Sequence, residues 1–563
     1  MNKLVECVPN VSEGNDLDVI NKIVDVLIKM NGVKLLNVDS GKATNRTVIT
    51  FVADAKIIVE AAFQLIKKAK ELIDMSCHKG EHPRMGAVDV CPFIPISEIT
   101  MDETIKLAHK LSQRVGDELS IPVYCYENAA KEKKRVNLAN CRAGEYEGLR
   151  NKLKDTLWKP DYGPCHYDDQ IEKSGATAIC ARDFLVAYNI NLNTTSTRRA
   201  NSVAFDLREA GRIKRKGGNL TGEIITDKNG NPVRIPGIFK NLKGIGWFID
   251  EYGIAQISYN ITNINTTPLH EVFDKTCERA NARGLRVTGS ELIGLVPKKV
   301  LIDAGKYFLN KQKRSLAISE REIIHIAVKS LGLDELAPFD IDSRIIEYMI
   351  EDRDAVLANK SLINFANLTS SESPAPGGGS ISAYCGALAT SLAVMVANLS
   401  SHKRGWDEKW KYFSDWGEIG MVLQKQLIDL VDEDTNAFNS IIKAFSLPKE
   451  TSQEKKLRSV EIQKATRNAI EVPFKIMQLS FDSLPLIKEM AKNGNPNSIT
   501  DAGVAMHCAK AAINGAFLNV RINCKDLKDK EYTDNIIREC FEILKKTKKE
   551  ETLILKIVDN KLN

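Results

Sequence analysis

The sequence predicts two α/β lobes followed by an all-helical bundle, an α+β region joined to an all-α one. Three observations carry this reading. Short apolar runs alternate with amphipathic stripes of helical period through the first half of the chain, the pattern begins afresh near residue 176, and beyond about residue 312 the strand signals stop. At 563 residues the chain also exceeds what one hydrophobic core organises, so several packed units are expected.

In the first lobe, Leu4 to Val8 and Val33 to Val38 are strand-like runs. Between them Leu17, Ile20, Val24 and Leu27 recur at helical spacing behind Asn15, the capping candidate. Val48 to Val52 reads as a further strand, and Ile58, Ala62, Leu65, Ala69 and Leu72 form one helical face. Val88 to Ile96, a charged helix from about Asp102 and a strand from Ile121 to Tyr126 follow.

The restart opens with Ala176 to Leu192, a long strand candidate, and a helical stripe of Ala200, Val203, Leu207 and Ala210. Ile245 to Ile249 and Ala255 to Ile261 bracket the turn Asp250-Glu251-Tyr252-Gly253, and a helix from Leu269 to Ala282 and a strand near Leu285 to Val287 close the series. Each half therefore reads β-α-β-β-α-β, the ferredoxin-like motif. Residues 1–175 are expected to form the first lobe, 176–332 the second, 333–343 a linker interrupted by Pro338, and 344–563 a helical bundle.

Composition excludes several classes of function. A net charge of +6 is the small remainder of 79 basic against 73 acidic side chains, which argues against a dedicated nucleic-acid binder. Twelve cysteines occur without a Cys-x-x-Cys pair, so they read as reduced thiols of a cytoplasmic protein. Met1-Asn2-Lys3-Leu4-Val5-Glu6 breaks any apolar run at once, and no secretory signal is expected. Ile381 to Leu399 is long enough to span a bilayer, but its Ala, Ser, Gly and Thr content favours a buried bundle helix and no membrane span.

The densest chemical cluster is Cys77-His78-Lys79-Gly80-Glu81-His82-Pro83-Arg84. It contains the H-x-x-E-H pattern of inverzincin peptidases through His78, Glu81 and His82, yet Gly80 and Pro83 oppose the helix which that motif needs, so no metal is expected. A histidine here can serve instead as a proton shuttle near neutrality. Asp39, at the end of a strand candidate before Ser40-Gly41-Lys42, either orients an imidazole or is an ordinary turn aspartate. In the helical region Leu423, Leu427, Leu430, Asp434, Phe438 and Ile441 fall at intervals of three or four. That spacing places Asp434 on an apolar stripe, where burial raises a carboxyl pKa; a structural ion pair or a solvent-facing stripe is the alternative. Pro374-Ala375-Pro376-Gly377-Gly378-Gly379-Ser380 precedes the uncharged helix, either presenting backbone amides to an anion or simply turning the chain.

Several strings resemble glutamate formimidoyltransferase: Glu6 to Gly14, Asn45-Arg46-Thr47-Val48, His78 to Ala87, Asp89 to Pro95, Gly175-Ala176-Thr177, Ala181-Arg182 and Gly244-Ile245-Gly246-Trp247. The resemblance covers about residues 1–330. The glycine run, together with Val431-Asp432-Glu433-Asp434, Leu447-Pro448-Lys449 and Phe517-Leu518-Asn519-Val520, is similar to formiminotetrahydrofolate cyclodeaminase. A methenyltetrahydrofolate cyclohydrolase has a similar glycine-rich start and remains the alternative for the bundle. Together the two resemblances span nearly the whole chain and point to the bifunctional formimidoyltransferase-cyclodeaminases.

The resemblance implies that His82 and Asp434 are the catalytic residues of the two activities. It places folate contacts at Gly163, Pro164, Gly175 and Arg182 in the lobes, and at Gly377, Gly378 and Gly379 in the bundle. The stretch from Cys165 to Ser174 looks a few residues longer than in familiar members. Nitrogen 5 of tetrahydrofolate, the co-substrate, would attack the formimino carbon of N-formiminoglutamate while His82 moves the proton. Nitrogen 10 would then close the ring with loss of ammonia, served by Asp434. The family further implies a cytoplasmic homo-oligomer acting on polyglutamylated folate in histidine degradation.

Overall fold

The computed structural model describes residues 3–42, 44–80, 82–218, 222–350 and 357–563. Two compact units emerge, Met1–Val300 with Gly332–Ile350, and Leu301–Leu331 with Glu351–Asn563.

The first lobe runs β1 (Leu4–Cys7), β2 (Asn10–Val11), α1 (Leu17–Ile28), β3 (Val33–Gly41), β4 (Arg46–Asp54), α2 (Ile58–Leu72), β5 (Val88–Ser97), α3 (Met101–Leu119) and β6 (Val123–Glu127). Short helices α4 (Leu138–Arg142), α5 (Leu149–Lys154) and α6 (Asp169–Ser174) lead to β7 (Thr177–Ala181). β1 and β2 act as one strand interrupted at Pro9, which has no N–H to give the ladder; both pair with β4 and β5. The sheet runs β3, β4, β1 with β2, β5, β7, β6, and the last two neighbours of β5 are added in parallel. The apolar stripes of α1, α2 and α3 bury Ile23, Leu27, Leu65 and Leu111 against one face, while Tyr124, Tyr126, Ala178 and Cys180 on the other face pack with Cys141 of α4, Leu149 and Leu153 of α5 and Ile171 of α6. The cap of α1 is Asp16, which accepts from the N–H groups of Asp18 and Val19, whereas Asn15 donates to Asn45 Oδ1 at 2.8 Å.

The second lobe contains β8 (Val186–Leu192), α7 (Thr197–Leu207), a small ribbon of β9 (Arg212–Ile213) and β10 (Arg234–Ile235), β11 (Leu242–Ile249), β12 (Ile254–Ile261), α8 (Leu269–Asn281) and β13 (Val287–Ile293). Its antiparallel sheet runs β11, β12, β8, β13. The run from Ala176 to Leu192 is thus two strands of different sheets, β7 beside β5 and β6, and β8 beside β12 and β13. Both are buried, so their apolar patterns merge in sequence although the chain passes between sheets at 182–185.

α9 (Lys298–Lys311) leaves this unit, and α10 (Glu320–Leu331) belongs to the second one. Residues 333–343, expected as a linker, return to the first unit with α11 (Ile341–Arg344) and α12 (Ile346–Ile350). The cause is apolar: Leu333 and Ile346 are buried, and Leu36, Val52 and Ile346 form one small core.

In the second unit α13 (Leu362–Thr369), α14 (Gly378–Ser401), α15 (Trp410–Phe445), α16 (Ser452–Asp482), α17 (Leu484–Asn493), α18 (Ile499–Cys524) and α19 (Lys530–Leu562) form the bundle. α14 is the core helix. Its alanines at 383, 387, 389, 393 and 397 are buried, and Gly386 and Gly420 let α14 and α15 approach where a larger side chain would strike Leu427 or Val394. Among the described residues it alone is long and apolar enough to cross a membrane, with 61% of its most apolar stretch buried inside the protein.

Candidate active sites

Three sequence strings meet around Asn45. Its Oδ1 accepts from Gly14 N–H at 2.9 Å and from Asn15 Nδ2 at 2.8 Å, its Nδ2 donates to the Lys79 carbonyl at 2.8 Å, and its own carbonyl accepts from His78 Nε2 at 2.9 Å. His78 Nδ1 accepts from Arg84 Nε at 3.3 Å, and Arg84 is held by Glu147 through contacts of 2.7 and 3.0 Å. His78 is therefore a fastener whose two ring nitrogens are both occupied.

His82 is placed differently. Its Nε2 lies 2.6 Å from Arg46 Nη1, and because a guanidinium can only donate, Nε2 is the acceptor and the neutral ring carries its proton on Nδ1. That Nδ1 is buried and has no hydrogen-bond partner among the described residues. Burial first, then the charges of Arg46 and Arg142, hold the His82 pKa below that of a free imidazole, so the ring is neutral and basic at pH 7. Arg142 reaches the same place from α4, forming an ion pair with buried Asp89. Asp89 also accepts from Met85 N–H at 3.0 Å and so fixes the end of the His82 loop.

Asp39 does not orient the imidazole, because Arg46 occupies that role. β3 and β4 pair Asp39 with Val48 and Gly41 with Arg46, and this register keeps Asp39 exposed near Arg46, where it acts only through its charge. It lines an open cleft of about 400 Å³ with Asn37, Glu291 and Ile293.

Gly175 and Gly163 have positive φ, +64° and +81°, and a Cβ on them would overlap the carbonyl oxygens of Met85 and Ile121 respectively. Gly175 is bridged to Gly86, with Ala176 N–H donating to Met85 O at 2.9 Å and Ala87 N–H to Ser174 O at 2.8 Å. The 163–175 segment is thereby tied to the loop carrying His82. Pro164 is half-buried beside Gly163, and the stretch expected to be long contains α6, capped by Asp168. Arg182 lies at the end of β7, its N–H donating to Phe93 O at 3.0 Å, and its charge opposes the burial that lifts Glu6 to about 7.

The H-x-x-E-H reading fails on geometry. Residues 78–80 and 82–84 are not helical, and the two imidazoles are committed to different partners; Glu81 lies outside the described residues.

In the bundle Asp434 stands half-buried on α15, facing the start of α14. Ser380 Oγ lies 3.1 Å from Asp434 Oδ2, 2.9 Å from the Val431 carbonyl and 3.3 Å from Thr435 Oγ1. Burial raises the Asp434 pKa, and the hydroxyl and backbone N–H of Ser380 partly oppose it. Gly379 is required at this spot, since a Cβ would overlap the carboxylate, and Gly378 faces the amide of Asn519. Gly377 is the cap residue of α14 and makes no side-chain bond. Asp432 points away, accepting from the N–H groups of Leu357 and Ala358. Asp434 thus gathers with the glycine run and Asn519, while Arg46, Arg142, Asp89 and Ser380 enter the two sites without having been singled out for a role. Arg46 and Asp89 lie inside quoted strings, but nothing in the sequence directs either toward His82. Among the described residues no group of three or more potential ligands could hold a metal ion.

Comparison with known proteins gives these sites a context. Family models described as the formiminotransferase domain N-terminal subdomain, the formiminotransferase domain and formiminotransferase-cyclodeaminase match residues 4–182, 187–351 and 361–542. The formimidoyltransferase-cyclodeaminase of Mus musculus is 39% identical over 557 residues, covering 99% of this chain and 98% of that protein. The glutamate formimidoyltransferase of Thermoplasma acidophilum is 41% identical over 308 residues, 54% of this chain and 92% of its own. The methenyltetrahydrofolate cyclohydrolase of Methylorubrum extorquens is 32% identical over 205 residues, 36% of this chain and 99% of its own. Matched from end to end at this identity, the chain belongs to the formimidoyltransferase-cyclodeaminase family.

Proposed function

We propose that the lobes transfer the formimino group of N-formiminoglutamate to tetrahydrofolate and that the bundle closes the product to 5,10-methenyltetrahydrofolate with release of ammonia. The reading is carried by one observation. A chain matched over its length by formimidoyltransferase-cyclodeaminases sets a neutral imidazole at His82 and a carboxyl of raised pKa at Asp434.

In the first step nitrogen 5 of tetrahydrofolate attacks the formimino carbon and loses its proton, and the carbon–nitrogen bond to glutamate breaks. His82 accepts the proton at Nε2 and returns it to the leaving amine. Arg46 covers that lone pair in the free enzyme, so a substrate carboxylate that draws Arg46 away frees the base as it binds. In the second step nitrogen 10 attacks the same carbon, and Asp434 carries a proton to the departing ammonia.

Both lobes are read as ferredoxin-like, with tetrahydrofolate in contact with the 163–175 segment and Arg182, and with the glycine run of the bundle. Glycines at 163, 175 and 379 are explained by close backbone or carboxylate approach, which allows a ligand contact beside them without requiring one. A cytoplasmic homo-oligomer using polyglutamylated folate completes the proposal. The cyclohydrolase alternative for the bundle has a relative of its own at 32% identity, but relatives that pair both domains match the full chain at 39%.

Incubation with N-formiminoglutamate and tetrahydrofolate, following methenyl product and ammonia together, tests the proposal. Both should appear in equal amounts. His82→Ala should lower transfer by about 10² to 10⁴-fold and spare cyclisation of 5-formiminotetrahydrofolate, with the converse for Asp434→Asn. Methenyl product without ammonia, or loss of both activities in either folded variant, refutes the division of labour.

A further inference from the structure

The second lobe carries a cavity of about 410 Å³ between α7 and the β9–β10 ribbon, and none of its lining residues belongs to the His82 or Asp434 site. The lining includes five arginines, Arg198, Arg208, Arg212, Arg215 and Arg234, and no acidic residue. Its two walls are fastened to each other. Ile238 N–H donates to the Asp206 carbonyl and Phe239 N–H to the Leu207 carbonyl, each at 3.0 Å, and a Cβ on Gly237 would overlap the Arg208 carbonyl oxygen. Gly211, at φ +57°, makes room for the Ile235 carbonyl in the same way.

Guanidinium groups gathered like this repel one another unless carboxylates answer them. Asp206 does so, but it is shared, since Arg212 and Arg283 both form ion pairs with it. Arg198, Arg208, Arg215 and Arg234 have no carboxylate partner among the described residues. Arg215 Nη1 donates to the Gly222 carbonyl at 2.8 Å and Arg234 Nη1 to the Ala210 carbonyl at 3.3 Å, neutral oxygens that position each side chain and leave its charge unbalanced. Arg208 is the most confined. Its Cζ lies 3.8 Å from the centre of the Phe205 ring, and its Nε and Nη1 donate to the carbonyls of Gly211 and Gly244 at 3.1 Å. Nη2 of this half-buried side chain is left without a partner among the described residues. Burial first, and then the charge of Arg234, hold the Arg208 pKa below the ordinary arginine value. A fork fixed in place with an open donor, beside three further unbalanced cations, is built to receive an anion.

Charge density narrows the choice of anion. A carboxylate brings one negative charge and two oxygens, whereas a phosphate group brings about 1.5 to 2 charges and three acceptor oxygens to the same point. Two linked phosphates match the unbalanced guanidiniums around one small cavity, while a chain of carboxylates would spread its charge along a groove. The lining also has an apolar part. Phe205, Ile213 and Ile235 contribute to it, and Ile235 is 47% exposed, a surface that inorganic phosphate leaves in water and an organic ring covers.

We infer that this cavity is a binding site for a nucleoside diphosphate, whose pyrophosphate is held by Arg198, Arg208, Arg215 and Arg234 and whose ring system lies against Ile213 and Ile235. The site is additional to the two sites of the function proposed above, and no group is transferred in it.

Titration calorimetry of the full-length protein with ADP, with pyrophosphate and with tri-γ-glutamate tests the inference. One ADP should bind per chain, pyrophosphate should displace it with about 10-fold weaker affinity, and tri-γ-glutamate should not displace it. The double variant Arg198→Gln, Arg234→Gln changes two exposed side chains and should weaken ADP binding about 10-fold, with KM for tetrahydrofolate and for N-formiminoglutamate unchanged. Arg198→Gln alone, at a side chain with no hydrogen bond among the described residues, serves if the double variant does not fold, with a loss of about 3-fold expected. Ile235→Ser should weaken ADP and spare pyrophosphate. The inference is overturned by absence of ADP binding at millimolar concentration, by ADP binding that the arginine substitutions leave unchanged, or by pyrophosphate binding as tightly as ADP. Displacement of ADP by tri-γ-glutamate, or a raised KM for tetrahydrofolate in the arginine variants, overturns it too, because the cavity would then belong to a carboxylate-bearing substrate.

Discussion

At the scale of single residues, the chemistry of the first site is set by which nitrogen of which histidine is free. His78 and His82 are four positions apart, but one is locked between Asn45 and Arg84 while the other, among the described residues, has a single guanidinium partner and an unpartnered Nδ1. Arg46 both caps the basic nitrogen and lowers its pKa, so its charge can be tested apart from its hydrogen bond. Arg46→Gln keeps a donor and removes the charge. The working form of the base is the neutral one, and the positive charge disfavours the imidazolium, so removing that charge raises the His82 pKa. The acid limb of the transferase pH profile, expected below the 6.5 of an ordinary histidine in the unmodified protein, should therefore move to higher pH. A pH profile of kcat/KM checks this; a limb that stays in place or moves down would show that Arg46 does not act on His82 through charge.

At the scale of elements, the bundle site depends on how closely the start of α14 approaches α15. Ser380 and Asp434 can meet only because position 379 carries no side chain. Gly379→Ala places a methyl group on the carboxylate, while the helix itself tolerates or gains from alanine. Displacing a catalytic group by about 1 Å can cost on the order of 10²-fold in rate. The expected outcome is a loss of that size in ammonia release, with native helical content by circular dichroism and normal formimino transfer. Full cyclisation activity in this variant would mean that the carboxylate does not need its contact with the glycine run. Gly175 plays a comparable part in the lobes, where positive φ and the crowding of Met85 tie the 163–175 segment to the His82 loop.

At the scale of the whole molecule, the two units are not consecutive in sequence. Residues 301–331 belong with the bundle and 332–350 with the lobes. Within the bundle unit Ser315 Oγ contacts Asn398 Oδ1 at 2.6 Å, Asn398 Nδ2 donates to the Ala317 carbonyl at 2.6 Å, and Leu316 N–H donates to Ser414 Oγ at 3.0 Å. Ala317 itself is buried in the core cluster of that unit. A bundle fragment beginning at residue 344 should consequently melt at least about 5 °C below one beginning at residue 301. Equal melting temperatures would show that the preceding segment adds nothing to the bundle.

Hydrophobic period determined that strands alternate with helices through the first half of the chain and that helices alone follow, because a helix or strand must present its apolar side to some core whatever that core turns out to be. It placed the α15 stripe correctly enough to put Asp434 on the inner face, and the quoted strings determined the family. Tertiary structure decided what depends on two distant segments meeting: that Arg46 rather than Asp39 holds His82, that Ser380 serves Asp434, and that 176–192 divides between two sheets. Periodicity reports how one segment faces water, whereas cross-strand register and helix approach are properties of pairs, and a single sequence carries no measure of them.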